Sequence, residues 1–394
     1  MLLYSLIANS LSASETSSKL SFKSKYITDL TDLGWKKARF NPKVSDNISN
    51  IVDFISVLMS KGFAYESTDG VYFRSSDFSN YGKLSNQNLS ELLEGVRIES
   101  NLNKESNSDF VLWKFAKENE PSWFSPWGYG RPGWHIECSV MAREHLGDTI
   151  DIHDGGIDLM FPHHENEIAQ SEAHNDKTFA NYWLHNGHIM VDDVKMSKSL
   201  NNFLLVNNIK KEFDVRVLRL FLLSVHYRSP MNYSVSNLVE IEKSFKRLLN
   251  NLNSLNLVYD YSSDSLVEDE KFLSELDNFI VSLDNNMSND FNTSSSIATL
   301  FELSHFLNTY INSNNFSRKV LDKFKNVIST FSLILGLDLT QTNLIDSEYL
   351  VLMSEREEAR KDKNYERSDE IRDFLLSKGI VLEDTRYGVR WSYK

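Results

Sequence analysis

Tyr233 separates two kinds of hydrophobic pattern, and that change limits the fold more than any other feature of the chain. Ahead of it, apolar runs alternate with helical repeats: helix 138–146, strand 149–153, helix 163–174, strand 187–192 and helix 207–225. That alternation predicts an α/β sheet with parallel pairing. Beyond it, Leu238, Ile241, Phe245, Leu248 and Leu252 recur at 3-4-3-4 spacing, one apolar stripe along an amphipathic helix. Further helical stretches at about 267–285, 294–313 and 317–335 complete a bundle pattern, the last stopped at Gly336. Residues 337–347 read as a linker, followed by charged helices at 347–361 and 364–378 and a terminal hairpin over Val381–Tyr393.

The first hundred or so residues are less uniform. Residues 1–45 are polar and poorly patterned, and the serine cluster Ser10–Ser18 reads as a loop or frayed end. From Ser45 to Lys61, Ile51, Ile55, Leu58 and Met59 fall at helical spacing, and Gly62 supplies the stop. Asp69-Gly70 between Phe63–Glu66 and Val71–Arg74 signals a hairpin. Residues 109–134, with four tryptophans and glycines at 128, 130 and 133, read as an aromatic, loop-rich wall.

A chain of 394 residues with one cysteine has no intramolecular disulfide framework, which fits a reducing, cytoplasmic compartment. Met1–Ala8 is apolar but lacks the cationic start of a secretory signal, and no run is long enough to span a membrane. The net charge of −13 argues against a generally basic nucleic-acid coat. Local fields differ from the total. Residues 148–172 hold seven acids and no Lys or Arg, whereas 195–228 hold seven Lys/Arg and two acids.

The acidic segment carries a metal-ligand spacing. In Asp151-Ile-His-Asp-Gly-Gly-Ile-Asp-Leu-Met-Phe-Pro-His-His-Glu-Asn-Glu167, His163 and Glu167 are four apart and share one helical face. Cys138 lies upstream in Gly133-Trp-His-Ile-Glu-Cys138. Thiolate, imidazole and carboxylate make three zinc ligands by type. The bland readings are a small core cysteine and a solvated His-Glu pair. Position favours a site, because the pair follows a strand with a Gly-Gly turn and a proline that fixes the helix entry. Neither zinc-protease helix motif is present. Downstream, Lys195-Met-Ser-Lys-Ser199 offers two ammonium groups and two hydroxyls, chemistry suited to a pyrophosphate leaving group on a closing loop, or simply a polar surface loop.

Taken together, Gly130-Arg-Pro-Gly-Trp-His-Ile-Glu-Cys-Ser139, Phe161-Pro-His-His-Glu-Asn-Glu-Ile-Ala-Gln170, Lys195-Met-Ser-Lys-Ser-Leu200 and His226-Tyr-Arg-Ser-Pro-Met-Asn-Tyr233 resemble bacterial-type cysteinyl-tRNA synthetases, in order and in spacing from about Pro42 to Lys394. The resemblance implies an incomplete class I synthetase nucleotide-binding (Rossmann-like) α/β domain, then an α-helical bundle and a small C-terminal α+β module. The implied divisions are an N-terminal remnant (1–45), a partial catalytic domain with the zinc site (46–205), a stem-contact and bundle domain (206–340) and an anticodon-binding module (341–394). Its implied reaction is ATP-dependent activation of L-cysteine to cysteinyl-adenylate and transfer to cysteine tRNA. By the same resemblance Cys138, His163 and Glu167 match three zinc ligands, and Lys195 and Lys198 are catalytic. Lys198 contacts ATP (normally with Mg2+), Trp134 lies beside the cysteine side chain, and His153 and Asp158 line the adenylate side. A soft thiolate binds zinc where serine's hydroxyl does not, so no editing step is needed.

The family also carries a fourth ligand, a cysteine, and a His-x-Gly-His segment with transition-state imidazoles. Cys138 is the only cysteine here, and His185-Asn-Gly-His188 falls on the wrong strand for that role. Ile157 replaces a small polar residue and Asn201 a glycine. The expectation is a truncated cysteine–tRNA ligase without activity of its own, a monomer as the family usually is. The alternatives are a non-catalytic tRNA- or zinc-binding remnant and the cysteine ligase of mycothiol synthesis.

Overall fold

The computed structural model describes residues 16–86, 103–197, 200, 202, 204–339, 347–385 and 387–393. Two compact units divide the chain, one built on Lys37–His188 and the other on Lys23–Lys36 with Ile189–Lys394.

The first helix, α1 (Thr16–Asp32), forms within the region expected to lack structure. Tyr26, Ile27 and Leu30 are spaced for one turn, too short a stripe to stand out between serines and lysines. Helix α2 (Ile48–Ser60) buries Ile51, Phe54, Ile55 and Leu58, the stripe read from the sequence. The expected hairpin, β1 (Ala64–Ser67) and β2 (Gly70–Phe73), is extended by β3 (Phe110–Phe115) and β4 (Gly130–Pro132) into a four-stranded antiparallel sheet. The aromatic wall is thus half sheet. Trp113 and Leu112 on β3 are fully buried against α2 residues in one core, each such side chain contributing about 1.5–3 kcal/mol by burial.

Helix α3 (Trp134–Leu146) starts one turn earlier than its pattern suggested. Strand β5 (Ile150–Gly156) then pairs in parallel with β6 (Ala180–Asn186), and α4 (Glu165–Asn175) crosses between them. The parallel expectation holds for this pair. Strand β6 was not foreseen, because Tyr182-Trp-Leu184 is a continuous apolar run without the alternation that marks a half-buried strand.

In the second unit β7 (Ile189–Val191) pairs with β8 (Val194–Lys195) and, in parallel, with β9 (Met231–Tyr233). The single helix expected at 207–225 is two, α5 (Val206–Ile209) and α6 (Val215–Leu223). Asp214 divides them by accepting the Arg216 backbone N–H at 2.8 Å, an N-cap that outcompetes continuation. Four long helices follow: α7 (Val235–Tyr259), α8 (Asp269–Ser288), α9 (Thr293–Asn312) and α10 (Arg318–Leu335). Their core includes Phe245, Leu300, Phe324 and Phe331, all fully buried. Beyond them α11 (Ser347–Lys361), α12 (Tyr365–Ser377), β10 (Ile380–Thr385) and β11 (Gly388–Tyr393) make the terminal module. Trp391 packs there against a core of Met353, Ile371, Leu375 and Ile380. No helix among the described residues is long and apolar enough to cross a membrane.

Arginines near the basic segment have internal work. Arg219 donates from Nε to the Leu335 carbonyl at 2.8 Å and from Nη1 to the Leu33 carbonyl, so it ties the ends of α10 and α1 and is unsuited to facing RNA. Arg216 donates to Asp214 and to the Asp338 carbonyl. Gly336 ends α10 at φ +60°, and a Cβ there would overlap the Arg219 guanidinium. Gly336→Ala is therefore expected to cost about 1–3 kcal/mol in urea unfolding, since strain and displacement of Arg219 add. Gly62→Ala, at φ +85° with open space, should cost less, about 1 kcal/mol. Equal losses would contradict the Arg219 contact.

The terminal module is clasped by Arg356, buried, which holds Asp384 in a bidentate pair at 2.8 and 2.9 Å, with Arg360 beside it. Hydrogen bonding from Arg356, then from Arg360, holds the Asp384 carboxyl down at about 2. A folded-state value below the unfolded one means the contribution is full above pH ~4 and disappears as pH falls toward 2. The stability gap between the parent chain and Asp384→Asn should close over that interval in denaturant titrations. A gap that persists at pH 2 would show that the charge is not what the pair contributes.

Candidate active site

The first unit gathers His153, His163 and His164 around one carboxylate. Glu167 is fully buried on α4, with Oε1 2.6 Å from His163 Nε2 and Oε2 2.9 Å from His153 Nε2 on β5. Neither oxygen meets an aligned hydrogen-bond donor, despite those short separations. Burial pushes the Glu167 carboxyl up, but the two imidazoles outweigh it and hold the group below the ordinary carboxylate range. His153 is lowered by burial and raised further by Glu167, ending above the usual imidazole value.

Cys138, on the second turn of α3, brings its sulfur to the same place. Ligand atoms of Cys138, His163 and Glu167 all lie within 4.8 Å of one another. Burial, then the charges of Glu167 and Glu137, push the Cys138 thiol well above its ordinary range. A divalent cation reverses that balance. The turn Met160–His164 delivers His163, so the two residues are four apart across a helix start rather than along one helix.

Neighbouring groups fix these positions. His135, buried at the start of α3, sets its Nδ1 2.8 Å from His163 Nδ1. Burial and the His163 charge lower His135 to about 3, so it is neutral and can accept the His163 Nδ1 proton. With a metal bound, a His135 that accepts the His163 Nδ1 proton would leave the His163 Nε2 lone pair for the metal beside Glu167 and Cys138. Trp134, 47% exposed, lies 4.3 Å from the His163 ring between centroids. Beneath, the Glu165 carboxylate accepts the backbone N–H groups of Gly82, Leu84 and Ser85, at 3.1, 2.6 and 2.7 Å, which anchors the start of α4. Ser139 and Gln170 meet at 2.9 Å between α3 and α4.

His153, His164 and Glu167 form a second group with ligand atoms equally close. It fits a metal less well. His164 Nδ1 is already 2.9 Å from His185 Nε2, and its Nε2 faces Gly155 so closely that a Cβ there would sit 2.9 Å from it. Burial, offset only in part by Glu167, lowers His164 to about 3.

The other expected site residues are placed less tightly. Asp158 is exposed on the turn after β5. Lys195 is exposed at the end of β8, in the second unit, and Lys198 and Asn201 lie outside the described residues. His185 Nε2 lies 2.9 Å from His164 Nδ1. Sequence reading passed over His135, His164 and Glu165. The signal available for them was the His-His-Glu run itself and a histidine three residues before the cysteine.

Residues 5–243 match the family described as tRNA synthetases class I (C) catalytic domain, and residues 283–340 match the DALR domain. The chain is 50% identical to the cysteine–tRNA ligase of Lysinibacillus sphaericus, over 94% of this chain and 80% of the relative. The chain belongs to the cysteine–tRNA ligase family. A cysteine–tRNA ligase of Oceanobacillus iheyensis is 49% identical over the same shares. Among solved structures, Mycobacterium tuberculosis methionyl-tRNA synthetase in complex with methionyl-adenylate superposes with a TM-score of 0.60 at 14% identity, covering 84% of this chain and 80% of that one. That likeness establishes the class I synthetase fold. Membership makes the chain a member of an enzyme family that ligates an amino acid to tRNA, and it ranks the mycothiol-type ligase below that reading.

Proposed function

We propose that zinc held at this site selects L-cysteine for ATP-dependent activation to cysteinyl-adenylate and transfer to cysteine tRNA, and that these 394 residues alone, with no second cysteine ligand and no His-x-Gly-His pair in place, do not complete that reaction. The observation that carries the proposal is Glu167, a fully buried carboxylate whose oxygens lack aligned donors while Cys138 and His163 converge on it. A soft sulfur, an imidazole nitrogen and a carboxylate oxygen are the donor set zinc prefers. Cys138, His163 and Glu167 would hold the metal, with a further position open to substrate. Zinc bound there supplies a partner for the substrate thiolate that serine cannot match.

The chain's own residues account for the rest. His135 holds the His163 tautomer, and Trp134 flanks the amino-acid side chain. His153 and Asp158 orient the adenylate, and Lys195 and Lys198 stabilise charge on the departing pyrophosphate of ATP, itself bound with Mg2+. Residues 46–205 serve catalysis, 206–340 the tRNA stem, and 341–394 the anticodon. A reducing, cytoplasmic setting keeps Cys138 reduced, and the working unit is a monomer.

Purified chain should carry about one zinc by elemental analysis, and equilibrium dialysis should show binding of L-cysteine but not L-serine. Cys138→Ser and Glu167→Gln should each lower zinc affinity by about tenfold or more, at least what loss of an outer partner costs. A chain that stays zinc-free, or that prefers cysteine equally after chelation, would refute the reading.

A further inference from the structure

The loop between β3 and β4 sorts its aromatic residues into two sets. Trp123 and Trp127 turn inward and pack against the core of the first unit. Phe124 and Tyr129 turn outward, 70% and 65% exposed, with ring centroids 5.6 Å apart and planes at 69°. The backbone holding them is well fastened. Trp123 and Gly130 exchange N–H···O bonds of 2.8 and 3.0 Å, Gly128 donates to the Ser125 carbonyl, and Ser125 Oγ donates to the Gly128 carbonyl at 2.7 Å. The Tyr129 carbonyl accepts the Ala116 N–H at 3.0 Å. Two large aromatics on a backbone fastened this firmly leave most of their surface in solvent. On the flanking segments Lys117, Glu118 and Arg131 are exposed, with Glu120 3.8 Å from Arg131.

The chain runs from Tyr129 through β4 straight to Trp134 at the candidate site. Five residues of extended backbone span at most about 17 Å. A partner lying on the aromatic pair is therefore within a few nucleotides' length of the reacting centre. Exposed aromatics hold single-stranded nucleic acid without reading its sequence by stacking bases, and exposed Lys117 and Arg131 on the same segments can meet phosphates.

We propose that Phe124 and Tyr129 form a stacking platform for the unpaired 3′ end of tRNA, guiding it toward the site beside Trp134. The proposal rests on the reading that tRNA is the substrate. Stacking tolerates any base, so the platform adds affinity common to all tRNAs and leaves the choice among them to other contacts.

The test compares an intact cysteine tRNA transcript with one ending at the last acceptor-stem base pair, by filter binding to the full chain. The parent chain should bind the intact RNA roughly tenfold more tightly, the scale of one base stacked on an aromatic. The double variant Phe124→Ala/Tyr129→Ala should bring that ratio to about one, leaving affinity for the trimmed RNA unchanged, whereas Phe124→Trp/Tyr129→Phe should keep it. A second measurement reads the parent chain alone: 2-aminopurine at the 3′-terminal nucleotide should be quenched on binding. Equal loss for both RNAs, an unchanged ratio in the alanine variant, or no quenching overturns the platform while leaving tRNA as substrate. Failure to bind either RNA overturns both.

Discussion

A single carboxylate organises the first unit. Burying Glu167 without water costs several kcal/mol unless charge or hydrogen bonding offsets it, and the offset must come from groups already in place. His153 arrives on β5 and His163 on the turn before α4, so strand and helix start are both committed to one point. Cys138 arrives from α3, which packs against α4. The parallel β5–β6 pair, the missing Cβ at Gly155 that makes room for the His164 ring, and the Glu165 clasp all serve that convergence. Remove the carboxylate and the imidazoles lose the reason for their arrangement.

The second unit follows other rules. Its stability comes from ordinary apolar packing along four long helices. Where charge is buried there, it ties ends together. Arg219 donates to carbonyls at two helix termini, and Arg356 clasps the last hairpin. Cations that look available for RNA in a linear sequence are in these cases already used.

What could be read in advance followed from period and spacing. The bundle helices were legible because their apolar stripes run unbroken for several turns, and Leu238 to Leu252 is the clearest case. Cys138, His163 and Glu167 were legible because soft and hard ligand types coincided with recurring motif order. Strand β6 was hidden, since its run Tyr182-Trp-Leu184 is continuously apolar and does not alternate. The break at Asp214 was hidden as well, because a cap inside a long apolar repeat changes the backbone without changing the pattern. His135 and Glu165 were missed for a further reason: their roles lie in whom they touch, at sequence distances of 28 and about 80 residues.

The central claim is that Cys138, His163 and Glu167 hold zinc through one sulfur and two lighter atoms. X-ray absorption at the zinc edge of the purified chain measures those bonds directly. The account predicts one sulfur scatterer at about 2.3 Å and nitrogen or oxygen at about 2.0–2.2 Å, with the sulfur shell lost in Cys138→Ser. A shell of nitrogen and oxygen alone in the parent chain, unchanged by that substitution, would contradict it.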